Sequence, residues 1–302
     1  MKLLWVSWVS WIAVLAACGG KADLPIPTQA DKTALIDAAC PIVTGPYFFE
    51  VTKAGRTSHI LGTRHLSIPL SKFPEVVGAT LDHASLLVEE IAPDDHPKPT
   101  FNDEPLRDEL GPKAWAHYEQ LVGPQIAVRV EHKASIVAIL MLSAMYEDFT
   151  VALDKQIAER TAAKQIPSSG LELSGFQIEL LMKLLDLRLL KAYVEETPDR
   201  AKLRQTSHDG IEHYCKGDEK GESALDGVEE NKLISHGYTK ADLDNFKEVL
   251  LYKRNLDWMP KLEQLLEQDH VFVAVGAGHL QGPRGVIEML KSRGYTITRI
   301  TK

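Results

Sequence analysis

VFVAVGAGH, at residues 271–279, is an apolar run that ends in glycines and a histidine. A run of β-branched and aromatic residues of this length, closed by glycine, is typical of a buried strand that ends at the edge of a sheet. The segment HILGTRH at 59–65 repeats this organisation near the other end of the chain, after the strand-like run YFFEV at 47–51 and a turn. These stretches predict an α/β protein whose sheet takes strands from both ends of the chain.

Each of the two segments contains a G-x-x-H motif. Gly62 precedes His65, and Gly276 precedes His279, by three residues. Glycine permits the backbone turns that bring a side chain to the rim of a sheet. Because both histidines follow a predicted strand in the same local arrangement, we expect them to share one site.

The rest of the chain predicts a mixed sheet with a helical insertion. Residues 40–95 are expected to form strand, turn, strand, loop, helix and strand, and residues 270–302 strand, loop, helix and strand. The segment 105–267 has mostly helical patterns, with long helices expected at 131–147, 175–196 and 242–268. Pro260 is expected to break or bend the last of these. The expected fold class is therefore α/β (α+β), with a central mixed sheet built from both chain ends and a large helical insertion.

The first residues predict export and lipid attachment. Lys2 supplies a positive charge, residues 3–14 are largely apolar, and the run ends in LAAC at 15–18. This pattern is typical of a bacterial lipoprotein signal peptide over 1–17, with Cys18 as the lipidated residue. An ordinary signal peptide or an N-terminal anchor helix is the alternative.

The lipoprotein interpretation gives the expected domain layout and location. Residues 18–38 are expected to be the lipidated cysteine and a tether, and 39–302 a single domain with a helical lobe at about 103–267. We expect the protein in the bacterial cell envelope, anchored by its lipid to the outer membrane and facing the periplasm. In that compartment Cys40 and Cys215 are compatible with a disulfide or with two separate buried thiols.

The composition argues against several function classes. The chain has 302 residues and a formal net charge of −8, with a pI near 5.8, so it offers no broad basic face for nucleic acid. The sequence contains no nucleotide-binding glycine loop and no G-x-S-x-G motif. Apart from the signal, no stretch predicts a membrane span.

The two G-x-x-H motifs, and above all GAGHLQGPRG at 276–285, resemble the TraB/PrgY/GumN family. That family is related to the Tiki-type membrane-anchored metalloproteases and to EreA- and ChaN-like proteins. Further matches follow in the family's order, at 87–93 (LVEEIAP), at 170–172 (GLE, with Gln177 five residues on) and at 254–258 (RNLDW). The resemblance spans about 45–302 and implies an EreA/ChaN-like fold. Arg64 departs from it, because the family commonly has an apolar residue there.

The strand-end residues suggest a metal site. His65, His279 and one of Glu89 and Glu90 supply the ligand types that bind a divalent transition metal with an open position for water. Because side chains alternate along a strand, we expect Glu89 and Glu90 on opposite faces and only one of them at the metal. The resemblance places Glu90 there, with Glu89 as the second choice. The metal is expected to be Mn, Co, Zn or Fe, and histidines that simply cap loops are the alternative.

Four further residues have open roles. Glu172 is expected to act as general base or as a fourth ligand, unless it only favours the start of the following helix. Arg254, with Asn255, is expected to orient the substrate or stabilise an oxyanion, and an ion pair between Arg254 and Glu172 is the alternative. Gln177 either donates to a substrate carbonyl or fixes its loop.

The resemblance implies a lipid-anchored, divalent-metal-dependent hydrolase, most directly a peptidase. The residues themselves argue only for a metal and water. The alternative is a non-catalytic binding lipoprotein that holds haem or iron, or that sequesters a peptide. The expected partners are a peptide or protein substrate and the membrane, through the lipid anchor, and no nucleic acid.

Overall fold

The computed structural model describes residues 23–92, 95 and 104–301. The expected signal peptide, Cys18 as its expected lipidation site and most of the proline-rich segment after residue 92 therefore lie outside the described residues. The lipoprotein interpretation stays a prediction. No helix within the described ranges has the length and apolarity that a membrane span needs.

A six-stranded mixed sheet forms the centre of the fold. Its strands are β1 (Phe48–Lys53), β2 (Arg56–Thr63), β3 (Leu86–Ile91), β4 (Ser168–Glu172), β5 (Val271–Gly276) and β6 (Thr296–Arg299). Their order is β4-β3-β5-β2-β1-β6; β4, β3, β5 and β2 run parallel, while β1 is antiparallel to β2 and β6. The prediction of a mixed sheet built from both chain ends is confirmed, with one strand, β4, added from the helical part.

Helices cover the sheet and form the lobe between β3 and β5. They are α1 (Gln29–Ala39), α2 (Glu75–Asp82), α3 (Leu106–Leu110), α4 (Pro112–Val122), α5 (Pro124–Val130), α6 (Ser135–Ser143), α7 (Leu153–Ala163), α8 (Ser174–Leu184), α9 (Leu187–Glu196), α10 (Arg200–Lys216), α11 (Glu219–Ser235), α12 (Lys240–Lys247), α13 (Lys253–Leu265) and α14 (Val286–Ser292). One buried cluster surrounds the sheet and a second lies within the helical lobe. Each part therefore has a core of its own, and burial of apolar surface stabilises both.

Two predicted helices were drawn too long. The segment expected as one helix at 175–196 forms α8 and α9, because the side chain of Asp186 accepts a hydrogen bond from Leu189 N and starts a new helix there. The helix expected at 131–147 is the shorter α6. Ser174 is the first residue of α8, and its N–H and hydroxyl both donate to the Asp95 carboxylate, at 2.6 Å each.

The irregularity in the last helical segment lies elsewhere than expected. α13 continues through Pro260, whereas Glu248–Tyr252 forms a π turn between α12 and α13. Proline lacks an N–H, so the helix loses one hydrogen bond, the one to the preceding turn. That turn carries Leu256, whose side chain is 55% exposed, so it lies on the solvent side of the helix. The π turn comes directly before Arg254 and Asn255 and so determines which way these two side chains point.

Part of the expected tether is folded. Residues 29–39 form α1, which begins at a capping box between Thr28 and Asp31 and buries Leu35 and Ile36. The sequence pattern missed this helix because its apolar positions are few. A disulfide joins Cys40, just after α1, to Cys215 of α10, which decides between the two alternatives left open for these cysteines.

Candidate active site

The two G-x-x-H motifs lie side by side at one edge of the sheet. β2 and β5 are parallel neighbours, with Gly62 opposite Val275 and Thr63 opposite Gly276. The histidines that follow therefore emerge at the carboxyl ends of adjacent strands. This is the edge where α/β sheets usually bind ligands.

A side chain at either motif glycine would meet close neighbours, but the neighbours differ between the two positions. A Cβ on Gly276 would stand 3.2 Å from Glu90 Oε1, 3.3 Å from His65 Nε2 and 3.6 Å from His279 Cδ2. A Cβ on Gly62 would collide with Tyr47 Cβ (2.8 Å), Leu280 Cδ1 (2.9 Å) and Ala277 Cα (3.0 Å). Gly276 thus keeps open the space between three candidate ligands, whereas Gly62 allows close packing.

His279 is buried and its tautomer is determined by Asn255. The Asn255 amide nitrogen donates to the carbonyls of His279 (3.1 Å) and Arg284 (3.0 Å), so its oxygen faces His279 Nδ1 at 2.6 Å. Nδ1 therefore carries the proton and Nε2 the lone pair. Burial lowers the pKa of His279 to about 4, against the opposing effect of Glu90, so the ring is neutral at pH 7.

Glu90 stands between the two histidines. Its carboxylate accepts hydrogen bonds from Gly276 N (2.9 Å), Gln177 Nε2 (2.9 Å) and Arg254 Nη2 (2.6 Å). Burial raises the pKa of Glu90, but His279, His65 and Arg254 lower it by more, to about 2. Glu90 is therefore ionised at every physiological pH, and Gln177 fixes this carboxylate.

His65 is held by an aspartate that the sequence did not point to. Its Nδ1 lies 2.5 Å from Asp154 Oδ2, at the start of α7. Desolvation in the concave site lowers the pKa of His65, but Asp154 and Glu90 outweigh it and raise the pKa to about 9. The ring is 62% exposed, so solvent moderates these effects. Nε2 points toward the space beside Gly276 and is the atom available to an ion.

Glu89 and Glu90 were expected on opposite faces of β3, with only one of them at the metal. Glu90 is the one that lies beside both histidines, where its Oε1 faces Gly276. Glu89 also borders the cavity at the end of β3; it is 8% exposed, and among the described residues its Oε2 has no hydrogen-bond partner. Burial, together with Asp154, raises the pKa of Glu89 to about 8, so this carboxyl carries a proton at pH 7.

Arg254 joins the acidic groups of the site. It donates to Glu172 through Nε (3.1 and 3.2 Å) and Nη2 (2.7 Å), and through Nη2 to Glu90. Nη1 donates to the carbonyl of Leu250 (2.9 Å) and to His279 Nε2 (3.1 Å). All five N–H groups of the guanidinium are used, so Arg254 has none left for a substrate. The second oxygen of Glu172 also accepts from Trp258 Nε1 at 3.0 Å. Glu172 therefore forms the ion pair with Arg254 that was given as the alternative to substrate binding by Arg254.

The site opens into a cavity of about 780 Å³ with two kinds of wall. The polar part of its lining includes His65, Glu89, Glu90, Asp154, Gln177, Arg254 and His279. The apolar part comes mainly from α6, α8 and the π turn: Ile136, Leu140, Leu181, Leu185, Leu250 and Leu251. Leu140 is 47% exposed although it lies in an apolar helix. A cavity of this size and lining fits a small organic ligand or a few residues of a peptide.

Arg64, the departure inside the first motif, anchors the loop that carries His65. Its Nη2 lies 2.5 Å from Glu147 Oε1, and Ser67 donates its hydroxyl to the same carboxylate. Glu147 is 4% exposed. The Arg64 side chain therefore ties the loop to the turn after α6, and its charge is balanced there.

The model of the TraB/PrgY/gumN family matches residues 47–299. This chain belongs to that family. It is also similar to a metalloprotease, TIKI1 of Xenopus tropicalis, with 30% identity over 142 residues, which is 43% of this chain and 27% of that protein. The chain thus corresponds to only about a quarter of the relative's length. No solved structure matches the chain closely enough to count as similar.

For a member of this family the donor set fits a divalent transition metal. His279 is neutral with its lone pair on Nε2, which now accepts from Arg254; Glu90 is ionised, and Gly276 keeps the space beside them open. Asp154 and Asn255 each bind the other nitrogen of a histidine, as the partners of metal-ligating histidines commonly do. Glu90 Oε1 already lies 3.7 Å from His279 Nε2, a spacing that two ligands of one ion can have.

A more closely spaced group of potential metal-ligating side chains lies on α10. Among the described residues, the side chains whose ligand atoms all fall within 4.8 Å of one another are His208, Asp209 and Glu212 on α10. These side chains are about one-third exposed and already pair with each other. His65, Glu90 and His279 therefore have to move closer together to share an ion.

Proposed function

We propose that this protein is a divalent-metal-dependent hydrolase that acts on peptide bonds. The observation that supports the proposal most is the convergence of His65, Glu90 and His279 around Gly276, where His279 has the tautomer and Glu90 the charge that metal ligands need. His65, whose pKa is raised to about 9, has to give up a proton when the ion binds. Similarity to a metalloprotease supports the reaction class. When bound, Mn, Co, Zn or Fe supplies Lewis acidity, which polarises a carbonyl and makes water a better nucleophile at neutral pH.

The residues around the candidate ligands position these ligands and balance their charge. Asn255 holds His279 and Asp154 holds His65, each by the nitrogen that faces away from the centre. Arg254 balances the charges of Glu90 and Glu172, so we assign it a positioning role instead of the expected contact with substrate. The absence of a free N–H on its guanidinium supports this reading.

Glu89 is the best candidate for proton transfer. Glu172, expected as the base, already accepts hydrogen bonds on both oxygens from Arg254 and Trp258. Glu89 lines the cavity, and its Oε2 has no partner. At pH 7 this oxygen holds a proton, which it can give to the amine that leaves when a peptide bond breaks.

We further propose that the protein acts in an oxidising compartment, as a lipid-anchored protein of the cell envelope. The disulfide between Cys40 and Cys215 supports the compartment, because such bonds persist outside the reducing cytosol. The LAAC segment at 15–18 supports the anchor. Labelling with a radioactive fatty acid, lost in Cys18→Ser, tests the anchor.

The test of the function combines metal content with peptide cleavage. Mass spectrometry of the purified chain is expected to find one Mn, Co, Zn or Fe ion fewer in His65→Ala and in His279→Ala than in the wild type and in the control His208→Ala. A peptide library should be cleaved by the metal-loaded protein and not after chelation. Tight peptide binding without any cleavage would instead support a sequestering protein, and metal that disappears only in His208→Ala would place the ion on α10.

A further inference from the structure

A second cavity, of about 290 Å³, lies at the opposite edge of the sheet from Gly276. Besides Ala79 and Thr80, its lining consists of three histidines: His59, His83 and His270. They come from three separate elements, since His59 lies in the first half of β2, His83 follows α2 and His270 precedes β5. Histidine is the commonest metal ligand in proteins, and three around one small cavity form a ligand set.

Backbone hydrogen bonds hold these three elements together. His270 N donates to the carbonyl of Thr57 in β2 (2.9 Å), and Ser85 N donates to the carbonyl of His270 (2.9 Å). The hydroxyl of Ser85 also donates to the carbonyl of Asp269 (2.5 Å). The main chain around the cavity is thus fixed, and only the side chains have to adjust.

Two of the rings already have the partners that ligand histidines usually have. His83 Nδ1 lies 2.8 Å from the carbonyl oxygen of Ala79, to which it donates, so its Nε2 has the lone pair. His270 Nε2 lies 3.4 Å from Asp269 Oδ2, which leaves Nδ1 for a ligand. A carbonyl or a carboxylate behind the ring is the arrangement that orients metal-bound imidazole.

The third ring, His59, is packed in place. It is half-buried and stacks on Phe48, with ring centroids 5.4 Å apart. Burial lowers the pKa of His59 and nearby His270 adds to the effect, whereas Glu50, opposite it in β1, works against it. Glu50 and Asp269 also give this edge negative charge, which favours a cation.

We infer that His59, His83 and His270 form a second metal site, for a borderline divalent ion such as Zn²⁺ or Cu²⁺. Three imidazoles select these ions over Mg²⁺ and Ca²⁺, which prefer oxygen ligands. The ring nitrogens do not yet lie within 4.8 Å of one another, so the exposed rings of His83 and His270 turn inward on binding. The ion cross-links α2 to the amino ends of β2 and β5 and stabilises the fold. This inference is independent of the proposed hydrolase function.

The test uses the full chain with His65 and His279 both replaced by alanine, so that the first candidate site cannot bind. Titration calorimetry with Zn²⁺ is expected to show one ion bound, and the unfolding temperature should rise with it. Cu²⁺ should give an electron paramagnetic resonance spectrum with nitrogen hyperfine structure. In that background, His83→Gln and His270→Asn should each weaken binding at least tenfold; asparagine suits position 270, where φ is +60°.

The control is His117→Gln, which removes a histidine of α4 that bonds to the carbonyl of Thr197. It should leave Zn²⁺ binding unchanged. No heat and no rise in unfolding temperature in the double-alanine background would overturn the inference. Binding that persists in both His83→Gln and His270→Asn would overturn it too. Since His83 is exposed, His83→Gln should keep its metal-free unfolding temperature, so its loss of Zn²⁺ cannot be attributed to misfolding.

Discussion

Replacing Arg254 by methionine should destabilise the protein strongly at neutral pH and much less in acid. The side chain of Arg254 is 4% exposed, and those of Glu90 and Glu172 are 11% and 8% exposed. Methionine fills similar space but leaves two buried carboxylates without their cation. Breaking a buried ion pair in this way costs about 3–5 kcal/mol.

The pH dependence follows from Glu90. Its pKa is lowered from 4.5 to about 2 in the folded protein, so its charge stabilises the fold above pH 4.5, and this contribution is lost as pH falls toward 2. Such a shift corresponds to about 3 kcal/mol in all. His279, His65, Arg254 and the N–H of Gly276 all contribute to it. The difference between wild type and variant should therefore be largest near pH 7 and shrink below pH 4.5, where Glu90 takes up a proton in the unfolded chain.

Urea unfolding, followed by circular dichroism at pH 7, 5.5 and 3.5, measures this difference. The control is Arg284→Met, which removes an exposed pair with Glu248 and should cost less than about 1 kcal/mol at every pH. If Arg254→Met costs as little as the control, or costs the same at pH 3.5 as at pH 7, the buried ion pair does not stabilise the fold as argued.

Other consequences of the structure can be measured separately. Asp154→Asn should bring the pKa of His65 down from about 9 toward 6.5, which an NMR titration of the imidazole would detect; an unchanged pKa would mean that Asp154 does not control the ring. Gly276→Ala should abolish metal binding while the unfolding temperature changes little, whereas Gly62→Ala should destabilise the fold by about 1–3 kcal/mol, and equal effects on stability would contradict the two roles. Reduction of the disulfide should cost about 2–5 kcal/mol in urea unfolding, and identical curves with and without reductant would contradict this.

The strands and the two motifs could be predicted because their signals are local. The apolar run at 271–275 and the glycine after it specify a buried strand end without reference to the rest of the chain. The pairing of β2 with β5 then follows from the repeated pattern. The disulfide and the helix α1 could not be predicted, since a pair of cysteines fits two states and α1 has few apolar positions.

The partners of the site residues depend on tertiary structure. Asp154 begins a helix of the lobe and is one of many acidic residues there, so nothing in the sequence connects it with His65. Glu172 has the same sequence signature whether it serves as a ligand or pairs with Arg254, and only the orientation of α13 decides between them. The burial of Glu89 beside the cavity could not be predicted either, because it depends on the elements that pack around the end of β3.

The pairing of β2 with β5 also has a consequence for biosynthesis. These neighbours are separated in the chain by two further strands and the whole helical lobe, so the sheet edge that holds both motif histidines forms only by a long-range closure. Such closures are slow and come late in folding. A ribosome has to release β5 and everything before it before His279 can join His65. A nascent chain that stops short of β5 therefore has one motif without its neighbour, and its candidate active site cannot form.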